Sequence, residues 1–314
     1  MDITKKKILV TGADGFVGKC LVRNLLEKRK VPKKNLYLSS FKDLDLRKWE
    51  DCKKAVEGKD IVIHLAAKVG GIGANRERPG EFFYDNAIMG IQLMEAARQS
   101  DVGKFVIIGT ICAYPKFTMV PFKEENLWTG YPEETNAPYG LAKKILLVQS
   151  QAYRHQYGFN SVYLLPVNMY GPGDNFDLES SHVIAAIIRK VYEAKKNNRN
   201  YIKAWGTGKA TREFLYVEDG VEGIILATEK YDKPEPVNLG SGAEISTKNL
   251  IELICRLMDF KGEIIWDSSK PDGQPQRRLD VSRAKKEFGF EAKVCLEEGL
   301  EKTIKWYKKN ASNI

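Results

Sequence analysis

Lys7-Ile-Leu-Val-Thr11-Gly12-Ala-Asp-Gly15-Phe-Val-Gly18 is the stretch on which the fold is decided. Lys7 to Thr11 is a short β-branched run suited to a buried parallel strand. Lys19 to Arg29 reads as an amphipathic helix. Between them the glycines repeat as G-x-x-G-x-x-G. A glycine triplet alone marks only a tight turn. One that closes a strand and opens a helix presents backbone N–H groups at the positive end of a helix, where a pyrophosphate binds. A Cβ at Gly12 or Gly15 would block that approach, and Gly18 lets the helix pack closely on the strand. Asp14, Phe16 and Val17 fall inside the same cradle.

The same alternation continues outward. Strands are expected at Asn35 to Ser40, Asp60 to Leu65, Lys104 to Ile108 and Ser161 to Leu165. Helices are expected at Trp49 to Glu57, Phe82 to Gln99 and Tyr139 to Tyr157. This pattern predicts an α/β chain, a Rossmann-type doubly wound parallel sheet with its ligand crevice at the carboxyl ends of the strands. After Tyr170 the pattern loosens, with helices at His182 to Lys196 and Thr247 to Met258. The expected organisation is a dinucleotide-binding domain over residues 1–170 and a smaller, partly discontinuous C-terminal substrate domain over 171–314. Residues 214–240 return to the first domain, with Phe214 to Thr228 packing on its sheet.

At the end of the second strand an NAD enzyme usually carries Asp or Glu for the adenosine ribose. Here the residues are Ser39-Ser40-Phe41-Lys42. Hydroxyls and a lysine suit a 2′-phosphate, which favours NADP(H). Asp14 is the opposing sign, and the segment also fits a plain polar loop.

Composition narrows the class. The chain has 314 residues with 50 Lys and Arg against 41 Asp and Glu, a net charge of +9. The basic residues are scattered and no nucleic-acid recognition module is legible, so a phosphorylated small ligand is the expected anionic partner. Five dispersed cysteines argue against a disulfide framework and against a zinc site, and no metal is expected. Neither a signal peptide nor an apolar run of membrane-spanning length is legible, so a reduced, cytoplasmic protein is expected.

Tyr139-Gly-Leu-Ala-Lys143 begins a helix, placing the phenol and the ammonium on one face. A lysine beside a tyrosine stabilises its phenolate, and such a pair moves a proton at a carbonyl during hydride transfer. Thr110, following the fourth strand in Gly109-Thr110-Ile111-Cys112, adds a hydroxyl at the same crevice mouth. Cys112 and His182, read by residue type alone, are a small buried hydrophobe and a helix-start packing residue.

Together these motifs resemble the extended short-chain dehydrogenase/reductase (NAD-dependent epimerase/dehydratase) family, over nearly the whole chain. The likeness rests on His64-Leu-Ala-Ala-Lys-Val-Gly-Gly71, Cys112 with Tyr114-Pro115, Tyr139 to Lys143, and Pro166-Val-Asn-Met-Tyr-Gly-Pro-Gly-Asp-Asn-Phe176. It continues through Ser181-His-Val-Ile184, Trp205-Gly-Thr-Gly208, Arg212-Glu-Phe214 and Asp272-Gly-Gln274. It is greatest to members that epimerise C3 and C5 of a GDP-4-keto-6-deoxy sugar and then reduce C4 with NADPH.

The resemblance implies Cys112 and His182 as the acid–base pair, Thr110 and Tyr139 on the enolate oxygen, Tyr139 as proton donor and Lys143 as its tuning partner. Ala66, Ala67, Ile108, Gly109, Thr110, Lys143, Pro166, Asn168, Met169 and His182 would line the cofactor. Asn168, Lys190, Trp205, Arg212 and Asp272 would hold the GDP-linked keto-sugar substrate. Thr110 stands where many members have Ser, and Asp14 where some have Arg. Related members act on GDP-heptoses or colitose precursors, which leaves a related 4-reductase or epimerase as the alternative. A homodimer through Phe82 to Gln99 and Tyr139 to Tyr157 is also implied. A cofactor-sensing regulator with a dead site is disfavoured, because both Tyr139 and Lys143 are present.

Overall fold

A computed structural model describes residues 1–178, 180–269 and 274–313. In chain order the strands are β1 (Ile8–Thr11), β2 (Leu36–Ser39), β3 (Ile61–His64), β4 (Lys104–Ile108), β5 (Ser161–Pro166) and β6 (Asn168–Tyr170). They continue as β7 (Tyr201–Trp205), β8 (Thr211–Tyr216), β9 (Val237–Leu239), β10 (Glu244–Ser246) and β11 (Glu263–Asp267). Six form one sheet in the order β2-β1-β3-β4-β5-β9. All its pairings are parallel, with Val10 opposite both Leu38 and Ile63.

Every residue of β1, β3, β4, β5 and β9 is buried, as expected of a sheet covered on both faces. Only the edge strand β2 exposes side chains, Tyr37 and Leu38. The strand order reverses between β1 and β3, so right-handed crossovers send the helices to opposite faces and open a crevice between those strands. Helices Phe16–Glu27 and Val217–Lys230 pack together, while Trp49–Val56, Pro79–Gln99 and Ala137–Tyr157 form the other layer.

The sixth strand, β9, had no signal in the sequence. Its three residues lie in a proline-rich stretch, and β5 supplies the hydrogen bonds that make it a strand. The expected return of Phe214 to Thr228 divides in two. Phe214 to Tyr216 stays in a small sheet of order β10-β8-β6, where Asn168 pairs with Phe214. The helix Val217–Lys230 then carries the chain back over the large sheet.

Two hydrophobic clusters result. One fills both sides of the large sheet and also takes in Leu279, Ala284, Phe288 and Phe290 from late in the chain. The other joins Tyr170, Phe176, the helices Val183–Lys196 and Thr247–Leu257, and Tyr307. Among the described residues no helix is long and apolar enough to cross a membrane.

Candidate active site

The glycine turn shows three different needs for a missing side chain. Gly12 has φ +67°, and a Cβ there would lie 2.9 Å from the Ala66 nitrogen at the end of β3. Its own N–H donates to the Ser39 carbonyl at 2.9 Å. A Cβ on Gly18 would lie 2.1 Å from the Gly12 carbonyl oxygen. Gly18 therefore serves the close packing of the helix on the glycine turn itself, where packing on the strand was expected. Gly15 caps the helix Phe16–Glu27, and a Cβ there would meet only the Gly12 oxygen at 3.2 Å. The space in front of it is the cradle a side chain would fill, and the helix's first N–H groups face it. These residues fit the diphosphate of a dinucleotide. Asp14 is exposed beside the turn, while Phe16 and Val17 pack on the core.

Next to the turn lies a cavity of about 600 Å³ lined by Asp14, Lys19, Leu38, Ser39, Ser40 and Asp43, among others. Ser39 is buried, and its carbonyl is committed to Gly12. Ser40 donates its hydroxyl to the Asp43 carboxylate at 2.7 Å. Lys42 is exposed and outside this lining, whereas Lys19, not singled out from the sequence, is part of it. The available signal was its place directly after the glycine triplet.

The carboxyl ends of β3 and β4 form the floor. Ala66 donates its N–H to the Thr11 hydroxyl at 3.1 Å, and that hydroxyl contacts Nδ1 of buried His64 at 2.9 Å. Burial, reinforced by Lys143, pushes His64 down to about 3, so its ring is neutral. Ala67 follows, half-buried. Ile108 ends β4. The room above Gly109 is taken by the Tyr163 ring, 2.5 Å from where a Cβ would be. Thr110 is buried and caps the turn Ile111–Ala113, its hydroxyl oxygen accepting from the Cys112 N–H at 3.2 Å. Because that oxygen is the acceptor, the hydroxyl proton remains available to another oxygen.

Pro138 opens the helix Ala137–Tyr157 in a position where its lacking N–H costs nothing. The next residue, Tyr139, is half-buried, and Lys143, one turn on, is buried. Gly140 abuts the Cys112 carbonyl, which brings the helix start against the Thr110–Cys112 turn. Burial holds the Tyr139 phenol well above its ordinary value, and Cys112 adds to the rise. Burial alone pushes Lys143 down to about 8. Tyr163 donates its hydroxyl to the Lys143 carbonyl at 2.9 Å. The phenol is thus held protonated, as a proton donor must be. Lys143, expected to tune this phenol, follows one turn along the same helix.

His182 caps the helix Val183–Lys196. It is open to solvent on one side, yet the protein around it is dense enough that burial lowers its imidazole. The preceding turn leans on the loop after β3, Gly71 donating to the Ser180 carbonyl at 3.2 Å. Pro166 ends β5, and Asn168 and Met169 are half-buried in β6.

In the second cluster's layer, Lys190 donates to the Lys203 carbonyl at 2.9 Å, beside Trp205 on β7, and burial lowers its ammonium. Trp205 is exposed. Arg212 lies in a different sheet, on β8, with its guanidinium on the Thr211 carbonyl at 2.7 Å. Asp272 lies outside the described residues. Among the described residues no group of three or more His, Cys, Asp or Glu is placed to hold a metal ion.

One charged neighbour went unread. Arg277 reaches the Cys112 sulfur, Nη1 to Sγ 3.6 Å. It follows the Asp-Gly-Gln segment closely, but its partner is 165 residues away, and no local pattern links them.

The fold and this site define an enzyme of nucleotide-sugar type built on a dinucleotide cradle, and residues 8–240 match the NAD dependent epimerase/dehydratase family. The chain belongs to that family. A GDP-L-fucose synthase of Sinorhizobium fredii (strain NBRC 101917 / NGR234) is 40% identical over 310 residues, covering 98% of this chain and 97% of that one. A GDP-6-OMe-4-keto-L-xylo-heptose reductase from C. jejuni superposes with a TM-score of 0.90 at 27% identity, covering 98% of this chain and 99% of that one. A GDP-L-fucose synthetase from Naegleria fowleri bound to NADP gives 0.87 at 27% identity, covering 98% and 95%.

Proposed function

We propose that this protein is an NADP(H)-dependent enzyme that epimerises C3 and C5 of a GDP-4-keto-6-deoxy sugar and reduces its 4-keto group. The observation that carries the reading is the packing of Gly140 on Cys112, which gathers a thiol, a hydroxyl and a protonated phenol at one strand end. Near-full-length likeness to GDP-L-fucose synthases supports the substrate class.

The 4-keto group acidifies the hydrogens at C3 and C5. Cys112 takes or returns a proton at these carbons and His182 does the opposite, so that each centre inverts. The Thr110 hydroxyl, its oxygen already accepting from Cys112 N–H, donates to the enolate oxygen beside Tyr139. Positioned acid–base groups of this kind contribute roughly 10²–10⁴-fold each. Gly12 and Gly15 would hold NADPH, with Ser39 and Ser40 facing its adenosine end and Gly18 keeping the turn closed, and the bound cofactor would supply the hydride for C4. Tyr139 gives its proton to the resulting alkoxide, and Lys143 stabilises the phenolate left behind. Lys190, Trp205 and Arg212 hold the GDP moiety from the second cluster's lobe, the guanidinium suiting a diphosphate, and Asp272 is assigned to the same ligand from the sequence alone.

Two further properties belong to this reading. Helices Pro79–Gln99 and Ala137–Tyr157 pack together and expose Phe83, Tyr84, Ile91 and Val148, which supports pairing with a second copy. The protein is assigned to the cytoplasm, where nucleotide-sugar substrates and reduced thiols are available.

The test mixes the protein with NADPH and GDP-4-keto-6-deoxymannose and follows absorbance of the reduced nicotinamide. Loss of absorbance with solvent deuterium entering C3 and C5 is expected. Intact protein that consumes no NADPH would overturn the proposal. The fold match to a heptose reductase favours a second reading, 4-keto reduction of a related GDP sugar. Reduction without deuterium at C3 or C5 would select it.

A further inference from the structure

We infer that Arg277 is the residue that positions the Cys112 thiol, and that it couples this thiol to the C-terminal lobe; the inference rests on the proposed role of Cys112. The contact is a guanidinium N–H aimed at sulfur, Nη1 to Sγ 3.6 Å. The guanidinium cannot swing freely. Its Nε donates to Gln274 Oε1 at 2.7 Å, and the buried Gln274 donates in turn to the Lys116 carbonyl at 2.6 Å.

The backbone beneath is held from both sides. On the C-terminal side, Thr211 N–H donates to the Pro275 carbonyl at 2.9 Å and Glu213 N–H to the Arg277 carbonyl at 3.1 Å. On the large-sheet side, Phe122 N–H donates to the Arg278 carbonyl at 2.7 Å, and Asp280 N–H returns to the Phe122 carbonyl at 2.9 Å. The Leu279 N–H is fixed by the buried Glu213 carboxylate at 2.7 Å. Residues 274–280 are therefore a strap clamped between β8 and the loop after β4. Arg277 is the side chain the strap delivers to the thiol.

A guanidinium N–H donating to sulfur fixes the direction of the S–C bond and so sets where the sulfur lone pair is presented. Arg277 also spans the two regions the substrate must bridge, since its backbone is paired with the strand that carries Arg212. Any shift of that lobe on sugar binding reaches the thiol through one rigid strap. Arginine suits this position, since its planar fork serves Gln274 and Cys112 at once.

The experiment compares full-length wild type, Arg277→Met and Arg277→Lys, all checked for an unchanged thermal midpoint. Three rates are read: alkylation of Cys112 by iodoacetamide in the free enzyme, deuterium exchange at C3 and C5, and NADPH-dependent reduction of a keto sugar already epimerised. Arg277→Met should slow alkylation and exchange by about 10–100-fold, the scale of a lost hydrogen bond to a charged group. Reduction of the epimerised sugar should be far less affected, and Arg277→Lys should restore part of the first two rates. Alkylation unchanged or faster in Arg277→Met overturns the inference. Equal losses of exchange and reduction through KM alone also overturn it, making Arg277 a substrate anchor only. If no keto sugar reacts with wild type, the proposed function fails, while the alkylation rates still decide the coupling.

Discussion

The Cα of Gly140 faces the Cys112 carbonyl so closely that a Cβ there would stand 2.4 Å from its oxygen and 2.9 Å from its carbon. The helix bearing Tyr139 and Lys143 thus rests on the backbone of the turn bearing Thr110 and Cys112. Gly140→Ala must push the two apart. Because a displacement of about 1 Å can cost 10²-fold in rate, turnover should fall on the order of 100-fold while the protein stays folded. Steady-state kinetics beside a circular-dichroism melt checks this. Full activity in the alanine variant would mean the packing does not set the site.

Tyr139→Phe removes the hydroxyl proposed to give a proton at C4. Reduction at C4 should drop by roughly 10²–10⁴-fold, with deuterium exchange at C3 and C5 much less affected. Comparing nicotinamide oxidation with mass-spectrometric exchange on the same sample separates the two steps.

Burial pushes the Lys143 ammonium down to about 8. Its charge is present below that pH and fades above it. The reduction rate should accordingly decline as pH rises through about 8, and Lys143→Arg, which cannot be neutralised in this range, should shift that descending limb upward. A pH–rate profile with each variant is the measurement.

Gly15 and Gly18 should fail differently. Gly18→Ala sets a Cβ 2.1 Å from the Gly12 oxygen, so it should lower the melting temperature. Gly15→Ala meets only one atom at 3.2 Å, so it should fold nearly normally yet weaken NADPH binding at least tenfold by filling the cradle. Thermal melts and fluorescence titration of NADPH distinguish the two outcomes.

His64 is neutral in the folded chain down to about pH 3, but takes a proton near 6.5 once unfolded. Below 6.5 the unfolded state binds more protons, so stability falls as the pH falls, by about 1.4 kcal/mol per unit until about 3. Urea melts at pH 7 and pH 5 should differ by about 2 kcal/mol from this group. His64→Gln should flatten that difference, and an unchanged slope would remove His64 as its source.

Five strands of the large sheet, most helices and the glycine turn were legible because each is written in a local period or in adjacent residues, whereas the short strands β6, β7, β8, β10 and β11 were not read. Lys104–Ile108 was read to the residue, and Ala137–Tyr157 to within two residues. β9 was not, since three residues among prolines carry no period and become a strand only against β5. The protonated Tyr139 was likewise hidden. Spacing shows that a lysine lies one turn away, but the burial that sets both charges comes from the whole fold.

Short-range order therefore determined the glycine turn between β1 and its helix, and the one-turn spacing of Tyr139 and Lys143 on a single helix. Two matters were decided only by the folded chain. Ser40 turns its hydroxyl to Asp43, while Lys19 rather than Lys42 faces the neighbouring cavity. Arg277 meets Cys112 across 165 residues because β8 and Phe122 clamp the strap between them. Periodicity registers neighbours along the chain; pairings between remote segments depend on which surfaces bury each other, and that is a property of the packed whole.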